Sequence, residues 1–362
     1  MKYSLLFSVL LFGMSFLLRA DSLDIKIGQM IMAGMQGQVV LKNSTVLRAV
    51  QQGKVGGILL FERNLSASKT QTRLLEMNTL LQNDADIPLI ISIDQEGGQV
   101  NRLKTKYGFP EMPSAKSVGD KNDDAYAEQI ARTIAQSLIR TGINLNYAPV
   151  LDLHYAACPV LGKRNRCFSD DPARVAHLAA IYIEQHRNQG VRTVVKHFPG
   201  HGSSRTDSHL GVVDVTKYWS RKELEPYQQL ISDGLVEMVM TAHIVNRQLD
   251  PSGLPATLSK AVLQNVLRKE LGFQGVIISD DMQMHAISSN YGFEESIRMA
   301  IEAGVDILLF SNNIGGASNY SIDNIHATIK RLVKEGKIAQ ERIDASYRRI
   351  MQFKRNVHGG GR

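Results

Sequence analysis

Short apolar runs that end on a polar, mostly titratable side chain recur along this chain, and they constrain its fold more than any other feature. Pro88–Ile93 runs into Asp94, Asn144–Val150 leads to Asp152, and Val191–Val195 runs into Lys196. Glu237–Ala242 ends at His243, and Gly275–Ser279 at Asp280-Asp281. Between them lie amphipathic stretches of helical length: Asp124–Thr141, Pro172–Gln189 and Phe293–Ala303. Strands alternating with helices predict βα units and a parallel sheet. A closed barrel gathers its chemistry at the C-terminal ends of many strands. A doubly wound open sheet, the alternative, concentrates it at one switch point. The expected fold is α/β, a single-domain (β/α)8 TIM barrel over residues 21–356.

The densest chemistry lies in Lys196-His197-Phe198-Pro199-Gly200-His201-Gly202, followed by Asp207-Ser208-His209. Three of the chain's ten histidines fall in this short segment, broken by glycines and a proline. Buried imidazoles each need hydrogen-bond partners, so stability alone gives no reason for such a cluster. Gly200, Gly202 and Gly211 suggest a segment that can swing.

These segments, with Asp94-Gln95-Glu96-Gly97-Gly98 and Ser279-Asp280-Asp281-Met282, resemble family 3 glycoside hydrolases, most closely the single-barrel β-N-acetylhexosaminidase branch. The resemblance runs from about Ile25 to about Phe353. It implies a retaining exo-β-N-acetylglucosaminidase acting on a small carbohydrate without a cofactor. Asp280 is the implied nucleophile, with Asp281 its rival, and Asp281 reads otherwise as a helix N-cap. The implied proton donor is His209, oriented by Asp207. Imidazole titrates near neutrality, and a carboxylate on its other nitrogen fixes the tautomer. The resemblance further implies that Asp94, Arg102, Arg166, Lys196 and His197 bind the sugar. Arg164 competes with Arg166. Glu96 and His201 read as loop supports, and His243 as part of the pocket floor. Gln99 stands where relatives often carry Arg. Met282 and Met284 read as packing around the sugar.

Met1–Ala20 has the form of a signal peptide: Lys2, then an apolar stretch, then a small residue. It implies an exported protein, periplasmic or secreted, with no stable membrane anchor after leader removal. The formal charge of +7, less Lys2 and Arg19, leaves +5. That suits an anionic cell-wall polymer, and no clustered basic motif points to nucleic acid. Peptidoglycan fragments and chitin-type oligosaccharides are both compatible substrates. Residues 357–362, with their run of glycines, read as a flexible tail, and the chain is too short for the second domain of larger relatives. Cys158 and Cys167 share one loop and are either bonded or free. The single tryptophan, Trp219, reads as part of an exposed helix start.

Two other classes fit parts of the pattern. A metal-dependent barrel hydrolase would draw ligands from His197, His201, His209, His243, Asp207 and Asp280. Against it, Lys196 would sit beside the metal. A sugar-binding relic would have lost the nucleophile or the histidine–aspartate pair, and both are present.

Overall fold

The structure is a computed structural model that describes residues 22–206, 211–313 and 320–359. In chain order its strands are β1 (Ile31–Gly34), β2 (Gly57–Leu60), β3 (Ile90–Ile93), β4 (Gln95–Gly97), β5 (Val100–Asn101), β6 (Leu145–Asn146), β7 (Arg192–Thr193), β8 (Val195–Phe198), β9 (Val213–Asp214), β10 (Met238–Thr241), β11 (Ile244–Val245), β12 (Val276–Asp281) and β13 (Ile307–Phe310). The main sheet runs β7-β6-β3-β2-β1-β13-β12-β10-β8, and every pairing in it is parallel. β7 and β8 are two halves of one run, separated only by Val194. β7 pairs with β6, through Leu145 and Arg192, while β8 pairs with β10, through Val195 and Val239. The two ends of the sheet are therefore one chain segment, and the sheet closes into the expected barrel of eight staves.

The staves are short and buried on both faces, as their near-continuous apolar sequences require. Helices cross between them. Asp124–Ile139 starts on Asp123, whose side chain accepts from the Tyr126 amide, and Pro172–Asn188 starts on Asp171 with proline in its first turn. Phe293–Ala303 covers the β12–β13 crossover. The crossover Ala261–Glu270 is wound as a π-helix.

Several expectations change. The final helix spans Gln340–Gly359 and Val357 packs against the core, so the expected tail from 357 is helical through 359. The Met1–Ala20 leader lies outside the described residues. No helix among the described residues is long and apolar enough to cross a membrane. Trp219 is 3% exposed rather than surface-bound, because its indole N–H donates to the Pro199 carbonyl (3.1 Å). Cys158 and Cys167 are buried and unbonded, and Cys158 Sγ lies 3.1 Å from Ser204 Oγ.

Candidate active site

The strand ends converge on one cavity of about 390 Å³. Asp94 leaves the end of β3, Lys196 and His197 lie in β8, and Asp280 is near the end of β12. Arg102 follows the β4–β5 hairpin, and Arg166 comes from the loop beyond β6. All six line the cavity. The structure thus brings together every sugar-binding residue expected from sequence and the expected nucleophile. Asp207 and His209 lie outside the described residues.

The charges form a chain. Lys196, 2% exposed, places Nζ 2.8 Å from Asp94 Oδ1 and 2.7 Å from Glu96 Oε1. Arg166 grips Glu96 with two parallel hydrogen bonds of 2.8 Å. That bidentate geometry suits a guanidinium and not an ammonium. Burial would raise the Glu96 pKa, but Arg166 and Lys196 hold it well below the usual carboxylate range. Burial likewise opposes the charge of Lys196, and Asp94 and Glu96 overcome it and raise its pKa. Glu96 is thus consumed by its partners, as expected of a loop support. Arg164 lines the cavity but is exposed, so Arg166 is the more buried of the two.

Not every donor is spent. Arg102 Nη2 is 3.9 Å from Asp94 Oδ2, too long for a hydrogen bond, and its buried Nε has no partner among the described residues. Its guanidinium sits 5.9 Å from the Phe61 ring centroid.

Adjacent Asp280 and Asp281 differ. Asp280 is partly exposed in the cavity, and its Oδ1 accepts from the Asp281 amide (2.8 Å). Asp281 is buried and accepts from the Ser311 hydroxyl and amide and from the Gln283 amide. Burial pushes its carboxyl up to about 6 against those hydrogen bonds. It does not cap the following helix, His285–Tyr291, whose N-cap position is Met284. Its role is to join β12 to the chain beyond β13.

The loop after β8 is anchored from below. Asp152, fully buried, accepts from the His197 amide (3.1 Å) and the His201 amide (2.7 Å), and lies 2.6 Å from His197 Nδ1. Glu223 accepts from the Gly202 amide (3.0 Å), and burial pushes its carboxyl up to about 8. A Cβ at Gly200 (φ +112°) would meet the Glu223 Cβ at 2.5 Å, and one at Gly202 would meet the Leu153 carbonyl at 2.2 Å. Close packing requires glycine at both positions, and the positive φ requires it at Gly200 as well. His201 supports the loop, with Nδ1 2.9 Å from Ser204 Oγ, and burial lowers its pKa to about 4.

His243 does not form part of the cavity lining. Its Nδ1 lies 2.8 Å from Thr257 Oγ1 and its Nε2 2.9 Å from the Asp281 carbonyl, so both ring nitrogens are engaged. That removes it from a metal-ligand set. No group of three or more His, Cys, Asp or Glu side chains among the described residues is arranged to hold a metal. Met284 and Gln99 line the cavity, and Met282 does not.

Sequence reasoning assigned no role to Asp152, Glu223 or Tyr147. Asp152 carried the same signal as its neighbours, a carboxylate after an apolar run. Tyr147 lines the cavity although it is 1% exposed, and its hydroxyl lies 3.2 Å from Ser92 Oγ.

The fold and these positions define a barrel of the glycosidase type. The profile of the glycosyl hydrolase family 3 N-terminal domain matches residues 22–353, and the chain belongs to that family. It is 37% identical over 268 residues to a protein from Tolumonas auensis named Beta-hexosaminidase, an alignment covering 73% of this chain and 77% of that one. It is similar to the family 3 β-N-acetylglucosaminidase from Paenibacillus sp. str. FPU-7, with TM-score 0.85 and 35% identity over 93% of this chain. It spans 63% of that longer protein. The β-N-acetylhexosaminidase from Beutenbergia cavernae is 29% identical with TM-score 0.81, over 92% of this chain and 98% of the other.

Proposed function

We propose that this protein is an exported, retaining exo-β-N-acetylglucosaminidase that releases terminal N-acetylglucosamine from peptidoglycan fragments or chitin-type oligosaccharides. The observation that carries the reading is the shared cavity: Asp94, Arg102, Arg166, Lys196, His197 and Asp280 all line it. The relatives named for hexosaminidase activity supply the sugar class. The export reading rests on the form of Met1–Ala20.

In the first step Asp280 attacks the anomeric carbon, and the glycosidic oxygen leaves with a proton from His209. In the second, water gives a proton back to His209 and displaces Asp280 from the sugar. Two inversions give retention. Asp207 holds the His209 ring and stabilises its imidazolium form. Asp94 accepts from sugar hydroxyls, while Arg102, Arg166 and Lys196 donate. Asp280 suits attack better than Asp281, because Asp281 has its oxygens occupied by Ser311 and Gln283.

A fluorinated N-acetylglucosaminyl donor that traps the glycosyl-enzyme tests the reading. The labelled peptide should contain the ester at Asp280. Label on Asp281, or a product of inverted configuration, would reject the assignment.

A further inference from the structure

Asp152 is fully buried and does not line the cavity, yet it ties the end of β8 to the loop that follows it. Both of its oxygens accept from backbone N–H groups: Oδ1 from His201 and Oδ2 from His197. Oδ2 also lies 2.6 Å from His197 Nδ1. Burial opposes ionisation, and the groups of His197 and His201 that face both oxygens outweigh it and keep the carboxyl below its ordinary value. The two backbone N–H donors favour the carboxylate whether or not either ring is charged. An ionised carboxylate only accepts hydrogen bonds, so Nδ1 carries a proton. In a neutral imidazole the other nitrogen then bears the lone pair. His197 lines the cavity, and its Nε2 has no hydrogen-bond partner among the described residues.

We propose that Asp152 is a positioning residue: by holding the His197 proton on Nδ1, it makes Nε2 an acceptor on the cavity side that selects a sugar hydroxyl able to donate. The neighbouring cations explain why this matters. Lys196, Arg166 and Arg102 can only donate. A hydroxyl that accepts from one of them and donates to Nε2 has both capacities used. With the opposite tautomer, His197 would add another donor to a wall already rich in donors. The inference rests on reading the cavity as a sugar site, but the tautomer itself is a property of the free protein.

Long-range ¹H–¹⁵N correlation spectra of the full chain with labelled histidine, assigned by His197→Gln, read the tautomer directly. His197 should be protonated at Nδ1. A wild-type ring that carries a proton on Nε2, alone or together with one on Nδ1, overturns the proposal. On N-acetylglucosaminides with each hydroxyl replaced in turn, one position should lose about 10- to 100-fold in kcat/KM for both the deoxy and the deoxyfluoro sugar. Fluorine cannot donate, so tolerance of fluorine at every position also overturns it. Asp152→Asn should lower kcat/KM by a similar factor, mainly through KM, and add little in the His197→Gln background. Additive losses would mean that Asp152 acts elsewhere. If Asp152→Asn does not fold, the wild-type spectrum and the fluorinated sugars decide. Absence of all N-acetylglucosaminide turnover with the Nδ1 proton in place would sink the glycosidase reading and leave the tautomer assignment supported.

Discussion

Two buried charge clusters occupy opposite ends of this barrel, and they are built for different ends. At the mouth, Lys196, Asp94, Glu96 and Arg166 form a chain that opens on the cavity, with Asp94 still 21% exposed and Arg102 Nε without a hydrogen-bond partner among the described residues. At the base, Asp306 precedes β13 and is fully buried. Its Oδ1 accepts from Arg342 (3.0 Å), Ser346 (2.8 Å) and Arg349 (3.1 Å), and its Oδ2 accepts from Arg268 (2.9 Å) and the Ile277 amide (3.0 Å). Every acceptor direction at the base is used to tie the last helix to β12 and β13. The mouth keeps capacity in reserve for a ligand. The contrast distinguishes chemistry from stability better than burial does, since both clusters are buried, and it follows the general division between the two faces of such barrels.

The strongest attempt to break the contrast is at the mouth. Asp280→Asn should lower kcat by roughly 10⁴-fold or more, as loss of a covalent nucleophile does, while thermal unfolding stays close to wild type. Steady-state kinetics with a chromogenic N-acetylglucosaminide, beside a calorimetric scan, reads both. A large loss of stability would mean that Asp280 belongs with Asp306 as a structural charge.

His209→Ala comes next and depends on the leaving group. A poor leaving group needs a proton, so its first step should slow by roughly 10²–10⁴-fold. A nitrophenolate departs with little help, and the glycosyl-enzyme should accumulate as a burst. Equal losses on both substrates with no burst would remove the histidine from the acid role.

Asp306→Ala should show the reverse signature. Removing it leaves the buried Arg268 and the half-buried Arg342 and Arg349 without their counter-charge, which costs about 3–5 kcal/mol. Denaturant unfolding should register that loss, while kcat per folded molecule changes little. Lost turnover at unchanged stability would break the division between mouth and base.

How far this division was legible in the sequence follows from the same physics. The staves that end on titratable groups, at Asp94, Asp152, Lys196, His243 and Asp280, were readable because charge after an apolar run is a conspicuous pattern. β1, β2 and β13 went unread, because Ile31–Gly34, Gly57–Leu60 and Ile307–Phe310 are followed by Met35, Phe61 and Ser311. The site residues were legible through the family motifs. Their partners were not: nothing local pairs Asp152 with His197 or Glu223 with Gly202, contacts separated by 45 and 21 residues. The base cluster was invisible for the same reason, since Asp306, Arg268 and Arg349 meet only once the barrel closes.

The smallest expected effect separates the base cluster into its own two parts. Lys354, on the last helix, is 3% exposed and donates to Gln29 Oε1 (2.6 Å) and the Gly56 carbonyl (2.8 Å), with no carboxylate among those partners. Burial lowers its pKa to about 7. The unfolded chain, with a lysine near 10.4, binds this proton across the window from about 7 to 10.4 while the folded chain releases it. Stability therefore rises with pH through that window, by up to about 1.4 kcal/mol per pH unit for a single group. Below about pH 7 both states are protonated and the dependence flattens. Lys354→Met removes the titration, so wild type should gain stability relative to the variant between pH 7 and 9.5. Urea unfolding of both proteins at those two pH values measures the difference. A gap that stays constant with pH would show that Lys354 remains charged in the fold, held by its two carbonyl oxygens alone, and the base would then hold a second permanent charge beside the Asp306 cluster.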